Sequence, residues 1–434
     1  MITHINNTRN SFSMLTLLIA MLSFISCDTK VVVEPELSVS VTTVSFNGEG
    51  GMSEILISCN DEWTITHSAS WLQINELTGH SGSHTIQLST EPNETGSTRT
   101  VVLVVNAQNG QARRLTVTQE SLLYPSYNTS PQLPDATGMQ NTAVELAAKI
   151  GLGWNIGNTM EAPGGESGWG NPAITEAYIK TIKQLGFNAI RIPCAWDLGH
   201  VDNQNTAHID PNWLSRVKEV VGYCVSNEMY VVLNIHWDGG WLEHGCTLEK
   251  KDSVNAKQKA FWEQIATTMR NFDAHLMFAS TNEPTTENAE QMEVLLSYHQ
   301  TFVNAVRSTG GRNTYRTLVL QGSSEMLNVN DFPTDPTPER MMYEEHNYTP
   351  FQFTALGEDV SWGRMFYYWG TGHHSLIEPD RNATWGGEDA HDQYFQRIKE
   401  KFVDKGIPVL MGEYGAYRRT TPQDSVTHND AVDY

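Results

Sequence analysis

The sequence is poor in basic residues and in cysteine, and it contains no long apolar run. It has 28 lysines and arginines against 50 aspartates and glutamates, a formal net charge of −22. This deficit argues against nucleic-acid binding, because phosphate backbones are bound by clustered Lys and Arg. A neutral polymer such as a polysaccharide suits the charge better than an anionic one. The 39% hydrophobic content and 12 tryptophans are typical of packed globular domains.

The five cysteines show no spacing that indicates a zinc site or a disulfide framework. One bridge among Cys194, Cys224 and Cys246 is compatible with the sequence, but buried free thiols are the favoured interpretation. Despite the predicted export described next, the chain is therefore not expected to be a disulfide scaffold.

The N-terminus carries an apolar run at residues 14–22 that is too short to span a membrane. It predicts a signal peptide over residues 1–26. The small residue before Cys27 resembles the lipobox of bacterial lipoproteins, which implies cleavage before Cys27 and acylation of its thiol. We therefore expect a lipid-anchored protein of the cell envelope, at the outer surface or in the periplasm. The alternative is ordinary secretion with Cys27 incidental.

After a short polar tether at residues 27–35, residues 36–121 alternate apolar and polar side chains in short runs. These runs are separated by Gly, Asn and Ser clusters, which predicts a small β-sandwich. The predicted strands are 37–46, 53–58, 63–66, 84–89, 99–105 and 114–118. The segment resembles the BACON domain, an immunoglobulin-like module of Bacteroidetes polysaccharide-degrading proteins, at Trp63, Trp71, Asn93, Arg99 and Gln119. The resemblance implies either carbohydrate binding or a spacer, and Trp63 and Trp71 are interpreted as core residues.

Residues 122–139 are rich in Pro, Ser and Asn, which predicts a linker. From residue 140 to 434, predicted strands alternate with helical periodicity, as in βα units around a parallel sheet. The strands are 151–157, 187–193, 230–236, 276–282, 317–321, 341–348 and 408–414. The helices are 174–185, 212–225, 256–271, 289–307 and 391–405, and Asp210 before Pro211 is a helix-start signal.

This alternation predicts an α/β fold, a (β/α)8 TIM barrel that follows the sandwich. Only seven strands fit before residue 434. We therefore expect the given chain to end before the eighth strand and to leave its first and seventh strands as unpaired edges.

Two glutamates directly follow apolar strands, Glu283 after 276–279 and Glu413 after 407–410. Barrel enzymes keep their chemistry at the carboxyl ends of the strands. Two facing carboxylates about 5 Å apart are the minimum for cleaving a glycosidic bond with retention. Arg191 lies within an apolar strand, where an unpaired charge is costly. It is the natural partner for Glu413.

Seven stretches resemble glycoside hydrolase family 5, most closely its endoglucanase and xyloglucanase branch. They are 153–159, 169–172, 186–193, 234–237, 282–284, 346–348 and 412–415. The resemblance implies a retaining endo-β-1,4-glucanase that acts on cellulose-like or xyloglucan chains, without cofactor or metal, and we expect a monomer. Mannan or mixed-linkage glucan is the alternative substrate. A carbohydrate-binding surface protein without turnover is the alternative from another class.

The same resemblance assigns roles. Glu283 is expected to be the general acid/base, with a pKa raised by its surroundings, and Glu413 the ionised nucleophile. Asn282 is expected to bind the 2-hydroxyl of the substrate, and Tyr348 to donate to Glu413 together with Arg191. His236 and His346 are expected to line the cleft.

Sugar contacts are expected from aromatic faces and from one amide near the cleft. The candidates are Asn158, Trp154, Trp169, Trp196, Trp237 and Trp369, of which only two or three tryptophans are expected to prove correct. Glu344 and Glu345, just before His346, stand where the family usually has apolar residues.

Overall fold

The computed structural model describes residues 34–95 and 97–417. The predicted signal peptide, the predicted lipidation site Cys27 and residues 418–434 lie outside this part of the chain. The described residues form two compact units, the first made of the sandwich strands and the second holding the chain from residue 119 onward.

The first unit is a β-sandwich, as predicted. One sheet has the order β1-β3-β7-β5 and pairs its strands antiparallel, and the other has the order β2-β9-β8-β4-β6. The strands are β1 (Leu37–Val39), β2 (Thr43–Phe46), β3 (Gly51–Cys59), β4 (Trp63–Thr66), β5 (Leu72–Ile74), β6 (Thr78–Gly79), β7 (Gly82–Thr90), β8 (Arg99–Ala107) and β9 (Ala112–Gln119). The predicted single strand 37–46 is wrong, because the chain crosses between the sheets and divides it into β1 and β2.

Trp63 fills the sandwich core, as predicted, and is 1% exposed. Gly79 of β6 lies so close to its indole that an added Cβ would stand 2.2 Å from a ring carbon. The glycine is therefore required by the packing of this tryptophan. Trp71, in contrast, is only partly buried.

The second unit contains a seven-stranded parallel sheet with the order β10-β11-β14-β15-β16-β17-β18. Its strands are β10 (Gly153–Asn155), β11 (Ala189–Ile192), β14 (Tyr230–Asn234), β15 (Leu276–Ala279), β16 (Leu318–Gln321), β17 (Met341–Asn347) and β18 (Val409–Tyr414). A small hairpin, β12 (Val201–Asn203) and β13 (His208–Ile209), was not predicted. All seven predicted barrel strands are confirmed, although β15 ends three residues before the predicted boundary at 282.

The helices are α1 (Ala143–Ala147), α2 (Glu176–Gln184), α3 (Pro211–Ser226), α4 (Lys251–Met269), α5 (Ala289–Ser308), α6 (Phe351–Thr354) and α7 (Glu388–Lys401). The five predicted helices correspond to α2, α3, α4, α5 and α7. Asp210 caps α3 through a bond from the Asn212 amide, with Pro211 in the first turn, as predicted. None of the helices in the described ranges combines the length and apolar character needed to cross a membrane.

Alternation along the strands separates two cores. Outward residues such as Ile190, Leu233 and Phe278 pack beneath the helices against Trp262 and Phe302. Inward residues of the neighbouring strands meet in a separate cluster. Together with Ala143 and Leu146 of α1, this cluster comprises Val232, Met277, Ala279, Val319 and Met342. Apolar residues thus line one end of the barrel, and the inward positions at the other end are free for polar groups.

Residues 122–139 contain no helix and no regular strand, yet this segment is held against the barrel unit. The buried carboxylate of Glu263 on α4 accepts from the backbone amide of Tyr127 at 2.6 Å and from that of Asn128 at 3.1 Å. The edges of the sheet, β10 and β18, are not paired strand to strand within the described ranges. Asn155 on β10 connects them by donating to the carbonyl of Gly412 at 2.8 Å.

Candidate active site

The predicted catalytic side chains meet at the carboxyl ends of five parallel strands. The alternation of side chains along the strands directs them inward, where they form one cluster above the apolar layers of the barrel. They are Arg191 on β11, His236 just after β14, Asn282 and Glu283 after β15, His346 and Tyr348 at the end of β17, and Glu413 on β18.

Arg191 is the centre of the cluster and is 5% exposed. Its Nη1 donates to Glu413 Oε1 at 2.7 Å, and its Nη2 donates to Asn282 Oδ1 at 2.7 Å. The third side of the guanidinium faces Glu344, whose Oε1 lies 2.7 Å from Nε. Burial acts to lower the pKa of Arg191, but the charges of Glu344 and Glu413 outweigh it and raise the pKa. The predicted carboxylate partnership of Arg191 is thus present, with one carboxylate more than expected.

Glu413 is held from two sides. Besides Arg191, the hydroxyl of Tyr348 donates to its Oε2 at 2.9 Å. The two donors occupy different oxygens of the carboxylate, so together they fix its orientation.

Glu283 is presented by an unusual backbone. Its φ of 41° is left-handed, and its amide donates to the side chain of Gln321 on β16 at 2.7 Å. Strain of this kind persists only where the surroundings hold it, and it clusters at active sites. Its Oε1 lies 2.9 Å from His346 Nδ1. The Glu283 side chain is about half exposed (52%), whereas the Glu413 side chain is 17% exposed.

The two glutamates face each other. Glu283, His346 and Glu413 each offer an atom within 4.8 Å of those of the other two. In the described part of the chain, this is the one carboxylate and imidazole group spaced closely enough to hold a metal ion. The pair of carboxylates is nevertheless sufficient for glycoside hydrolysis without an ion.

Comparison with known proteins decides the family. Residues 155–434 match the family described as cellulase, glycosyl hydrolase family 5. The chain belongs to glycosyl hydrolase family 5. Residues 61–120 match the BACON family, described as a putative binding domain at the N-terminus. Both resemblances found in the sequence are confirmed.

Individual relatives agree with this membership. A xyloglucan-specific endo-β-1,4-glucanase of Bacteroides ovatus is 31% identical over 416 residues, covering 91% of this chain and 80% of that protein. The solved structure of a Bacteroides ovatus family 5 xyloglucanase in complex with a heptasaccharide has a TM-score of 0.64 and 29% identity, covering 92% of this chain and 88% of that one. The solved structure of a xyloglucan-specific β-1,4-glucanase from a ruminal metagenomic library has a TM-score of 0.62 and 37% identity, covering 68% of this chain and 81% of that one.

Two of the tryptophans predicted to contact sugar lie instead in the interior of this family 5 domain. Trp196 is fully buried, and its indole donates to the carbonyl of Asn234 at 2.9 Å. Trp369 is 8% exposed, donates to the carbonyl of Gly386 and packs in a cluster with Phe353. The prediction that these two rings contact sugar is wrong, because their faces are covered. Both are structural residues.

The four other candidates remain accessible. Trp169 is 51% exposed and Trp237, directly after His236, is 40% exposed. Asn158 is exposed in the loop after β10, with a left-handed φ of 59°. Trp154 is also 43% exposed, but its indole donates to the Tyr178 hydroxyl at 3.0 Å.

Two glutamates of the site were not predicted to belong to it. Glu344 is fully buried beside Arg191 and His346. Glu243 is 8% exposed and accepts from Asn282 Nδ2 at 2.9 Å. A signal for Glu344 was present, because a strand residue two positions before His346 faces the same side. Glu243 lies on a loop and carries no such signal.

The protonation of Glu283 and His346 differs from the prediction. The contact with His346 lowers the pKa of Glu283, against the opposing effect of burial. The prediction that the surroundings raise this pKa is therefore wrong for the free protein. Burial acts to lower the pKa of His346, but hydrogen bonds to Glu283 and Glu344 raise it to about 9. At neutral pH the proton therefore resides on His346, next to Glu283.

Two further groups are shifted towards their neutral forms. Burial, with the charges of Arg191 and His346, lowers the pKa of His236 to about 3. Burial also raises the pKa of Glu243 to about 7, with a further contribution from Glu283.

Proposed function

We propose that this protein is a retaining endo-β-1,4-glucanase that cleaves β-glucan chains, with xyloglucan as the preferred substrate. The observation that carries the proposal is the approach of Glu283 and Glu413 to within 4.8 Å at the open end of the barrel. Retaining glycosidases hold their two carboxyl groups about 5–5.5 Å apart, whereas inverting enzymes leave about 6.5–9.5 Å for a water molecule.

In the first step, a Glu413 oxygen attacks the anomeric carbon while the bond to the leaving oxygen breaks. The leaving oxygen receives a proton from Glu283, which can draw it from His346 through the 2.9 Å contact. Arg191 and Tyr348 hold the Glu413 carboxylate in position for the attack.

In the second step, water attacks the same carbon and releases Glu413. Glu283 accepts the proton of that water, so the protonation of the pair is restored. Asn282 is fixed by its bonds to Arg191 and Glu243, a fixed amide suited to the 2-hydroxyl of the reacting sugar.

The preference for xyloglucan rests on the three relatives described above, all of which bear that substrate in their names. This preference depends on the loops around the site, because the residues at the strand ends determine the reaction and the loops select the polymer. A substrate panel of xyloglucan, soluble cellulose derivative, mixed-linkage glucan and mannan decides it.

The test of the reaction combines stereochemistry with variants. The full chain is expected to release reducing ends, to lower solution viscosity early, and to give products whose new anomeric centre is first β by NMR. Glu413→Gln and Glu283→Gln are each expected to lose activity by about 10²- to 10⁴-fold or more. Products that are first α, or variants that keep full activity, would overturn the proposal. Folded protein without activity on any polymer would favour carbohydrate binding without turnover.

We further propose that the protein is anchored in the cell envelope through acylated Cys27. The support is the apolar run at residues 14–22 followed by a small residue and cysteine. Incorporation of labelled palmitate that is lost in Cys27→Ala tests the anchor. Secretion without incorporated label contradicts it.

A further inference from the structure

Glu344 connects the supports of both catalytic glutamates. Its Oε1 lies 2.7 Å from Arg191 Nε and 3.0 Å from His346 Nε2. Arg191 in turn holds Glu413, and His346 holds Glu283. A single carboxylate oxygen therefore touches both groups that control the catalytic pair.

The position of Glu344 is enclosed. Its side chain is fully buried, and its Oε2 has no hydrogen-bond partner within the described residues. Arg191 Nε is close to it but does not direct its hydrogen at Oε1, so the contact is a charge pair rather than a directed hydrogen bond. On β18, Gly412 leaves the space that Glu344 occupies, since a Cβ there would stand 2.0 Å from Oε1.

A carboxylate in this environment has no evident structural advantage. Burying a charge without full hydrogen bonding is unfavourable, and an apolar residue at this position would avoid that penalty. The neighbouring Glu345 faces the other side of β17 and is bonded by the Tyr394 hydroxyl at 2.9 Å. It interacts with His346 through the His346 backbone amide and at longer range, not through a direct contact with the ring.

We propose that Glu344 is a positioning residue that keeps His346 charged next to Glu283 and fixes the guanidinium of Arg191 against Glu413. This inference rests on the proposed roles of Glu283 and Glu413. One buried carboxylate thus has two effects. It keeps a proton on His346 next to the acid Glu283, and it keeps the positive charge of Arg191 next to the nucleophile Glu413.

The electrostatic surroundings of His346 allow the effect to be isolated. Two carboxylates touch its ring, Glu283 after β15 and Glu344 on its own strand. Glu413 on β18 lies 3.9 Å away, while Arg191 on β11 lies 3.3 Å away and opposes the charge. His236 after β14 also faces it and is neutral at physiological pH. Removing the Glu344 charge leaves Arg191 less balanced, so His346 is expected to lose its proton more easily.

The experiment compares Glu344→Gln with wild type and with the matched control Glu345→Gln, all as full chains. The pKa of His346 is measured in the free protein by nitrogen NMR of its ring, and kcat/KM is measured against pH. We expect Glu344→Gln to lower the His346 pKa by about 1–3 units and to move the alkaline limb of kcat/KM in the same direction. Glu345→Gln removes only a weaker interaction with His346, so it is expected to change both quantities clearly less than Glu344→Gln does.

Two additional variants keep the inference testable if Glu344→Gln does not fold. Glu344→Asp keeps the charge and is expected to restore much of the His346 pKa. Gly412→Ala displaces the carboxylate without removing it and is expected to lower that pKa. An unchanged His346 pKa in folded Glu344→Gln overturns the inference, as does an unchanged value in folded Gly412→Ala. Because the NMR titration needs no substrate, a failure of the proposed function is seen separately.

Discussion

The side chains of Arg191 and Glu413 are joined by a 2.7 Å contact across the barrel interior, between the second and seventh strands of the parallel sheet. The same guanidinium binds Asn282, which precedes Glu283. One cation thus sets the geometry of the nucleophile and of the residue next to the acid, and its shape matters as well as its charge.

Arg191→Lys should therefore be strongly impaired although the charge is kept. Lysine offers one nitrogen, which cannot reach Glu413 and Asn282 together. We expect kcat/KM on soluble β-glucan to fall by about 10²- to 10³-fold. Arg307→Lys is the matched control, since Arg307 makes a two-pronged contact with Asp335 at 2.8 and 2.6 Å away from the proposed site. It should lower the melting temperature but spare kcat/KM. Equal loss of activity in both variants would contradict the role given to Arg191.

Tyr348→Phe removes one of the two donors of Glu413. A hydrogen bond to a charged group contributes about 1.5–3 kcal/mol, so kcat should fall roughly 10- to 100-fold. Tyr394→Phe removes a phenol that binds Glu345 at the same 2.9 Å distance, and it should leave kcat within a factor of about two. The prediction fails if the two phenylalanine variants have the same kcat.

The catalytic pair could be predicted from sequence because each glutamate ends an apolar strand, and parallel strands bring their carboxyl ends together. The tryptophans could not be assigned in this way. Trp196 and Trp237 both follow barrel strands closely, yet one ring is fully buried and the other is 40% exposed. The difference lies in the local loop path and in the bond from the Trp196 indole to the carbonyl of Asn234, which no periodicity determines.

The glutamates of β17 show a different limit of prediction from sequence. Glu344 and Glu345 depart from the family pattern, and the two-residue period of a strand places Glu344 on the side of His346. The role of Glu344 depends on the groups across the barrel, namely Arg191 and the space above Gly412. Those neighbours come from β11 and β18, and their distances follow only from the folded sheet.

Trp237→Ala tests the remaining sugar platforms. An exposed ring that stacks on a sugar contributes binding common to substrate and transition state, so KM should rise about 2- to 10-fold with little change in kcat. Trp169→Ala should behave in the same way. Trp196→Ala is the opposite case and should destabilise the fold by about 3–5 kcal/mol. Unchanged KM in both exposed variants would exclude these rings from the substrate path.

Glu243 links the site to the pH dependence of stability. Burial raises its pKa from 4.5 to about 7, so between these values the folded protein holds a proton that the unfolded chain has released. Stability must therefore fall as pH rises through this window and level off above it, by about 3 kcal/mol at most. Glu243→Gln has no such proton, and its amide oxygen can still accept from Asn282. The free energy of unfolding of the variant relative to wild type, from urea denaturation, should increase between pH 5 and pH 8. A difference that is independent of pH would show that Glu243 is ionised throughout, and that solvent or an ion compensates its burial.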